Sequence, residues 1–278
     1  MKYFTPITYL FIFIVFISAE GAWAASQFIS ISDGSNQLLQ RTAQLREKAG
    51  AFPLLLNEKL NHVADAHCQD MVNRLYFSNT DPDGRDTRLR AIAAGYSLQL
   101  PSDQPMTDLK AGLIFEGISG LVLDFPFNPS DALEYLWNDL LKQQPPFADS
   151  RFLEVGAVFG VTQLELNGVR FYVYLASLIM ARPSIESPYI FQCGHVNKKW
   201  ANPYYSPIEF VTSPASNMPI TKSHDQTLLA MTDKNGAYCF SAPRFSSIRY
   251  DVCNQSFLKT YPVDDTLVFE VDISVECH

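Results

Sequence analysis

The chain has 278 residues, of which 47% are hydrophobic and 18% charged, and a formal net charge of -8. That composition excludes a low-complexity or intrinsically disordered protein, and the acidic balance repels polyanions, so no nucleic-acid partner is expected. The length suits a leader followed by two domains of ordinary size.

Met1 and Lys2 carry positive charge ahead of an apolar run, Tyr9 to Ile17, that is too short to span a bilayer. Ala22-Trp23-Ala24 then places small residues where a signal peptidase cuts, so residues 1-24 are expected to be a signal peptide. The expected localisation is secreted, extracellular or periplasmic, with no membrane span after cleavage.

Apolar positions Leu38, Leu39, Ala43 and Leu45 predict a first helix over Ser35 to Lys48, stopped by Gly50. Leu60, Val63, Ala64, Cys68, Met71, Val72 and Leu75 mark one face of a second helix beginning near Asn57. His62 and His67, five apart, do not share the face that a helical pair of metal ligands needs. A turn-rich loop follows from Tyr76 to Gly84, then a short helix outlined by Arg88, Leu89 and Ile92 with Gly95 as its stop. The acidic run Asp81, Asp83, Asp86 lacks the rest of a calcium loop and reads as a helix-capping turn.

Ile114 to Phe127 is rich in Ile, Leu, Val and Phe, which suits a core segment or an apolar groove for lipid. Ser130 is placed as the cap of a helix with Ala132, Leu133, Leu136, Trp137, Leu140 and Leu141 inward. Glu154 to Val158 reads as a strand, and Asn167-Gly168 as the turn of a following hairpin. No G-x-S-x-G elbow is present; Gly117-Ile118-Ser119-Gly120 has the wrong spacing.

Four motifs stand in order along this half: Ala64-Asp65-Ala66-His67-Cys68-Gln69-Asp70-Met71, Tyr76-Phe77-Ser78-Asn79, Pro82-Asp83-Gly84, and Arg90 followed by Ala94-Gly95-Tyr96. Phe115-Glu116-Gly117-Ile118 and Glu154-Val155-Gly156 continue the series. Together they resemble the CAP superfamily of secreted proteins in its bacterial form. The resemblance implies an α+β fold, a three-layer α-β-α sandwich over residues 25-183, and a cleft in which the family holds two histidines and two glutamates suited to a divalent metal.

Here that set is altered. Asn79 stands where the family has a histidine, counting from Trp137 reaches Gln143 instead of the second histidine, and Glu116 is kept. Asp139 and Leu140 occupy the region of the second glutamate. Amides are poor zinc ligands, so no metal and no cofactor are expected. Asn79, Glu116 and Gln143 are instead expected to line a polar cleft that binds a peptide, glycan or lipid, with no catalytic residue assigned. The alternatives are a metal-independent envelope hydrolase using Glu116 as base and a purely structural envelope protein.

Pro183 to Pro188 reads as a linker, and residues 188-278 as a small all-β sandwich with short strands between Pro, Gly, Asn and Asp turns. Thr232-Asp233-Lys234-Asn235-Gly236-Ala237-Tyr238-Cys239-Phe240 resembles a hairpin of carboxypeptidase-regulatory-like domains, with Gly194 to Val196 and Pro207 to Val211 as opening strands; such modules are usually non-catalytic. His195 and His224 read as strand or loop residues. Cys193, Cys239, Cys253 and Cys277 crowd this region and are expected in disulfides, whereas Cys68 is a buried thiol. Pairing Cys239 with Cys253 closes a loop of about 14 residues, and pairing Cys193 with Cys277 ties the ends together; sequence leaves the connectivity open.

Overall fold

The computed structural model describes residues 24-25, 27-100, 108-166, 168-202, 209-261 and 266-277. The expected signal peptide up to residue 23, Asn167 of the predicted turn, and Pro207 and Ile208 of a predicted strand lie outside the described residues.

Helix α1 spans Ser32–Ala49 and stops where Gly50 turns left-handed (φ 70°), returning its N–H to the carbonyls of Arg46 and Glu47. Helix α2, Glu58–Arg74, starts on Asn57, whose side chain accepts from the amides of Lys59 and Leu60 at 3.0 and 3.3 Å. Helix α3, Thr87–Ala93, starts on Asp86, which accepts from Leu89 N at 2.9 Å. A single turn, α4, covers Asp108–Ala111. Helix α5 is Pro129–Lys142, and its cap is Asn128, not Ser130: Pro129 sits at the first helical position, where a missing N–H costs nothing, so the cap falls on the residue before it.

Strands β1 (Ala24–Ala25), β2 (Ile29–Ser30), β3 (Leu55–Leu56), β4 (Leu113–Leu123), β5 (Glu154–Leu166) and β6 (Val169–Arg182) form one sheet. Its path is β1-β5-β6-β4, with β2 and β3 also on β5, so β4 lies at the end. β5 and β6 pair antiparallel from Glu154↔Ala181 to Leu166↔Val169, and β4 pairs with β6 from Leu113↔Arg182 to Leu123↔Tyr172.

Alternation along β6 divides the core. Val173, Leu175, Ile179 and Ala181 pack with Leu60, Val63, Ala64, Cys68 and Met71 of α2 and Ala91 of α3. Tyr174, Ala176, Leu178 and Met180 pack on the other face with Leu38 of α1 and Leu133, Leu136, Trp137 and Leu140 of α5. Both faces of the sheet are therefore covered by helices, a mixed α/β arrangement in three layers. The α2 backbone comes so close that a Cβ on Gly156 would collide with the main chain of Leu60 and Asn61. The apolar stretch from Ile114 is core strand: Ile118 buries on the α2 face and Leu121 on the α5 face.

Past Arg182 the described elements are strands only: β7 (Tyr189–Asn202), β8 (Glu209–Pro214), β9 (Pro219–Lys222), β10 (Leu228–Met231), β11 (Ala237–Pro243), β12 (Ser247–Val252), β13 (Gln255–Thr260), β14 (Val268–Glu270) and β15 (Ile273–Val275). One sheet runs β10-β9-β12-β13; in the other, β7 carries β11, β14, β15 and β8. Ile190, Val196, Ile220, Tyr238, Phe240, Tyr250, Val252 and Val275 are among the residues of the core they share.

The disulfides are Cys193–Cys239 and Cys253–Cys277, with Cys68 buried and unpaired. This corrects both pairings weighed from sequence, and the register supplies the reason: Cys239 lies directly opposite Cys193 on the β7–β11 pair, whereas Cys253 opens the β12–β13 turn beside the chain's end.

The two regions meet in a packed junction. Phe52, Leu55 and Leu153 close against Phe191, Cys193, Cys239, Leu267 and Val268. Beside it, Lys234 N and Asn235 Nδ2 donate to Glu47 Oε1 and to the Glu47 carbonyl, each at 2.9 Å, so the β10–β11 turn caps the free end of α1.

Candidate functional site

The site is built around β4, the end strand of the sheet. Glu116 points its carboxylate into the α2–α3 layer, where the side chain is 0% exposed. Four polar groups surround it. Oε1 accepts from Ser177 Oγ of β6 at 2.8 Å and faces His67 Nδ1 of α2 at 2.8 Å. Oε2 accepts from Thr87 Oγ1 at 2.6 Å and from Arg90 Nη2 at 2.6 Å, both on α3. Burial alone would raise the Glu116 pKa; the hydrogen bond and charge of His67, with Arg90 and Thr87 behind them, outweigh it and hold the carboxyl below its ordinary range.

The same groups hold the loop between α2 and α3. His67 Nε2 lies 3.1 Å from the Ser78 carbonyl, and Arg90 Nη1 donates to the carbonyls of Asn79 and Arg85 at 2.9 and 2.8 Å. Asp81 closes the loop from within: Oδ1 accepts from the amides of Asp83 and Arg85, each at 2.9 Å, and Oδ2 pairs with Arg85 Nε at 2.8 Å. Arg74 takes Asp83 at 2.7 Å. The acidic run is thus a turn neutralised by arginines.

The two amides meet the main chain of β4. Asn79 Nδ2 donates to the Glu116 carbonyl at 3.3 Å, and Gln143 Nε2, at the end of α5, donates to the Ile118 carbonyl at 2.7 Å. Residues two apart on a strand direct their carbonyls to the same side, and β6 occupies the other side, so Asn79 and Gln143 stand together at the outer edge of β4. Asp139 accepts from Ser119 Oγ at 2.9 Å.

The three residues singled out in sequence therefore converge on the segment from Glu116 to Ile118, though the Glu116 carboxylate and the edge amides address different surroundings. Sequence reading missed His67, Thr87, Arg90 and Ser177 as partners of Glu116. His67 and Arg90 already stood inside quoted motifs, and Ser177 is a polar residue within the apolar run of β6; what was missing was the packing and register that gather them.

Chemically, each Glu116 carboxylate oxygen already faces two polar partners and the side chain is wholly buried. Ser177 donates to Glu116 and Ser119 to Asp139, but both serines are 0% exposed, so neither hydroxyl is placed to reach a substrate. The donor set does not suit a divalent cation either: its carboxylate is neutralised by a guanidinium at 2.6 Å, and amides are poor ligands for zinc. Among the described residues, no group of three His, Cys, Asp or Glu side chains gathers where it could hold an ion.

Residues 39–141 match the sequence model of CAP, the cysteine-rich secretory protein family. That span runs from α1 to α5 and includes Glu116 and its helical partners. Among solved structures, the chain is similar to an outer surface protein from Borrelia burgdorferi at 14% identity, covering 54% of this chain and 96% of that one with a TM-score of 0.33. It is also similar to an extracellular protein containing a SCP domain from Bacillus anthracis (19% identity, 52% and 40% coverage, TM-score 0.35). A cysteine-rich secretory protein from Staphylococcus aureus follows at 16% identity, 54% and 38% coverage and a TM-score of 0.30. This chain thus spans well under half the length of the last two. No curated protein matches it.

Proposed function

We propose that this chain is a secreted binding protein whose CAP domain takes a hydrogen-bonding polymer, a peptide or a glycan, along the outer edge of β4. The observation that carries the reading is the placement of Asn79 and Gln143, two amides from different elements, on neighbouring carbonyls of an end strand. An amide is both donor and acceptor, so each can bind the strand and still address a ligand. Glu116 serves this reading as the post that fixes His67, Arg90 and the loop bearing Asn79. The burial of Ile118 and Leu121 on opposite faces of the sheet weighs against a lipid groove along that part of β4; past the strand, Phe125 is exposed. The saturation of Glu116 weighs against a hydrolase that uses it as base.

Secretion is part of the proposal, supported by the apolar N-terminal run and by two disulfides. We read residues 188-278 as a non-catalytic carboxypeptidase-regulatory-like module that buttresses the CAP domain through the Glu47 and Phe52 junction. The test is selection of ligands for the full chain from immobilised peptide and glycan libraries, followed by affinity measurements on Asn79→Ala and Gln143→Ala. Weakened binding in both, with melting temperatures unchanged, supports the edge of β4. Full affinity in both overturns it.

A further inference from the structure

The two disulfides occupy different surroundings. Cys193 and Cys239 are 0% and 2% exposed and lie beneath Phe52, Leu55 and Leu153 of the CAP side. Cys253 and Cys277 are partly exposed at the far end of the β-region. Cys253 and Asn254 form the two-residue turn of the β12–β13 hairpin, with φ of 50° and 60°, which presents this sulfur pair at a hairpin tip.

What the outer bond fastens is a strap. Residues 268–277 run along β7 as two three-residue parallel strands, Val268↔Phe191 to Glu270↔Cys193 and Ile273↔Val196 to Val275↔Lys198. Between them Val271 N donates to the Cys193 carbonyl at 2.8 Å, Tyr238 Oη donates to the Val271 carbonyl at 2.8 Å, and Asp272 Oδ1 accepts from His195 N at 2.8 Å. Beyond Val275 the hold is Gln255 Nε2 on the Glu276 carbonyl at 3.2 Å and the bond to Cys253. Short parallel strands pair weakly, so the covalent clasp matters most for β15.

We infer that Cys253–Cys277 is an exchange-reactive clasp, opened by dithiols while Cys193–Cys239 stays closed, and that opening it frees the β15 end of the strap from β7. In the step, a thiolate of the dithiol attacks one sulfur of the clasp and expels the other cysteine as thiolate, leaving a mixed disulfide. The dithiol's second sulfur, deprotonated, then displaces the protein. Two electrons pass to the clasp, the dithiol departs as its own disulfide, and its two protons end on Cys253 and Cys277.

The experiment treats the folded full chain with dithiothreitol without denaturant, traps thiols with iodoacetamide at intervals, and identifies them by peptide mass, with hydrogen exchange read on the same samples. Cys253 and Cys277 should be trapped first, with Cys193–Cys239 intact, and amide exchange should quicken over residues 272–277 and 196–198 while α2 stays protected. A Cys253→Ser, Cys277→Ser double variant should show that faster exchange without reductant. Simultaneous or inverted reduction of the two bonds, or unchanged exchange in the strap once the clasp is open, overturns the inference. The native-reduction arm decides the matter even where the double variant does not fold.

Discussion

Arg90 donates to Glu116 Oε2 at 2.6 Å across the space between α3 and β4, with the carboxylate side chain wholly buried and the guanidinium 10% exposed. Such a pair is costly to break from one side, because the surviving charge stays in a dry layer without its partner. Glu116→Gln should therefore destabilise the chain by about 3 kcal/mol. Denaturant titration checks this, and a change within about 0.5 kcal/mol would contradict it.

Glu116, buried, and Glu154, half-buried, should give the stability opposite pH dependences. The Glu116 pKa is held below its ordinary 4.5, so its contribution is complete above that value and fades as pH falls through the folded one. Burial raises the pKa of Glu154 against the hydrogen bonds from Tyr96 and Asn57, so its contribution is complete below 4.5 and fades as pH rises through the folded value. The stability gap between wild type and Glu116→Gln should shrink between about pH 6 and about pH 3, and the gap to Glu154→Gln should widen. Unfolding free energies across that range decide both signs.

Cys68 sits fully inside the α2 layer, where burial first and the nearby Glu116 charge second raise its thiol well above the usual value. It should resist iodoacetamide in the folded chain and react as the single free thiol once denaturant is added. Alkylation of Cys68 under native conditions would show that the layer opens readily.

How much of this was legible in sequence depends on range. The α2 face from Leu60 to Val72 follows from its spacing, and the caps at Asn57 and Asp86 are local chemistry. The cap of α5 was misread because Ser130 is a good cap in isolation, while Pro129 decides the position by where its missing N–H is harmless. Disulfide connectivity was not legible, since it rests on Cys193 and Cys239 facing each other across strands 46 residues apart in sequence. The surroundings of Glu116 were out of reach for the same reason: His67, Thr87, Arg90 and Ser177 come from three elements, and it takes the packing of α2 and α3 on the sheet, with the register of β4 on β6, to bring them to one carboxylate.

The junction between the two regions should carry measurable stability. Phe52 packs into it and lies 5.5 Å from the His195 ring, so Phe52→Ala should cost about 2 kcal/mol, less than the loss of a fully buried phenylalanine. Glu47→Ala, which breaks a bridge to an exposed Lys234 at 3.3 Å, should cost under about 1 kcal/mol. A larger loss in Glu47→Ala than in Phe52→Ala, read from urea titrations of the full chain, would mean that the capping turn and not the apolar contact joins the regions.

The most direct test of the proposed role is to measure ligand affinity and melting temperature together on Glu116→Gln and on Asn79→Ala, using a peptide or glycan selected by the wild-type chain. The account predicts that Glu116→Gln melts lower yet, well below its melting point, keeps most of its affinity. Asn79→Ala should melt as wild type does and lose affinity by about 1 kcal/mol, the scale of one neutral hydrogen bond. A Glu116→Gln protein that keeps its stability and loses the ligand, beside an Asn79→Ala protein that binds normally, would contradict it and make the carboxylate itself the binding group.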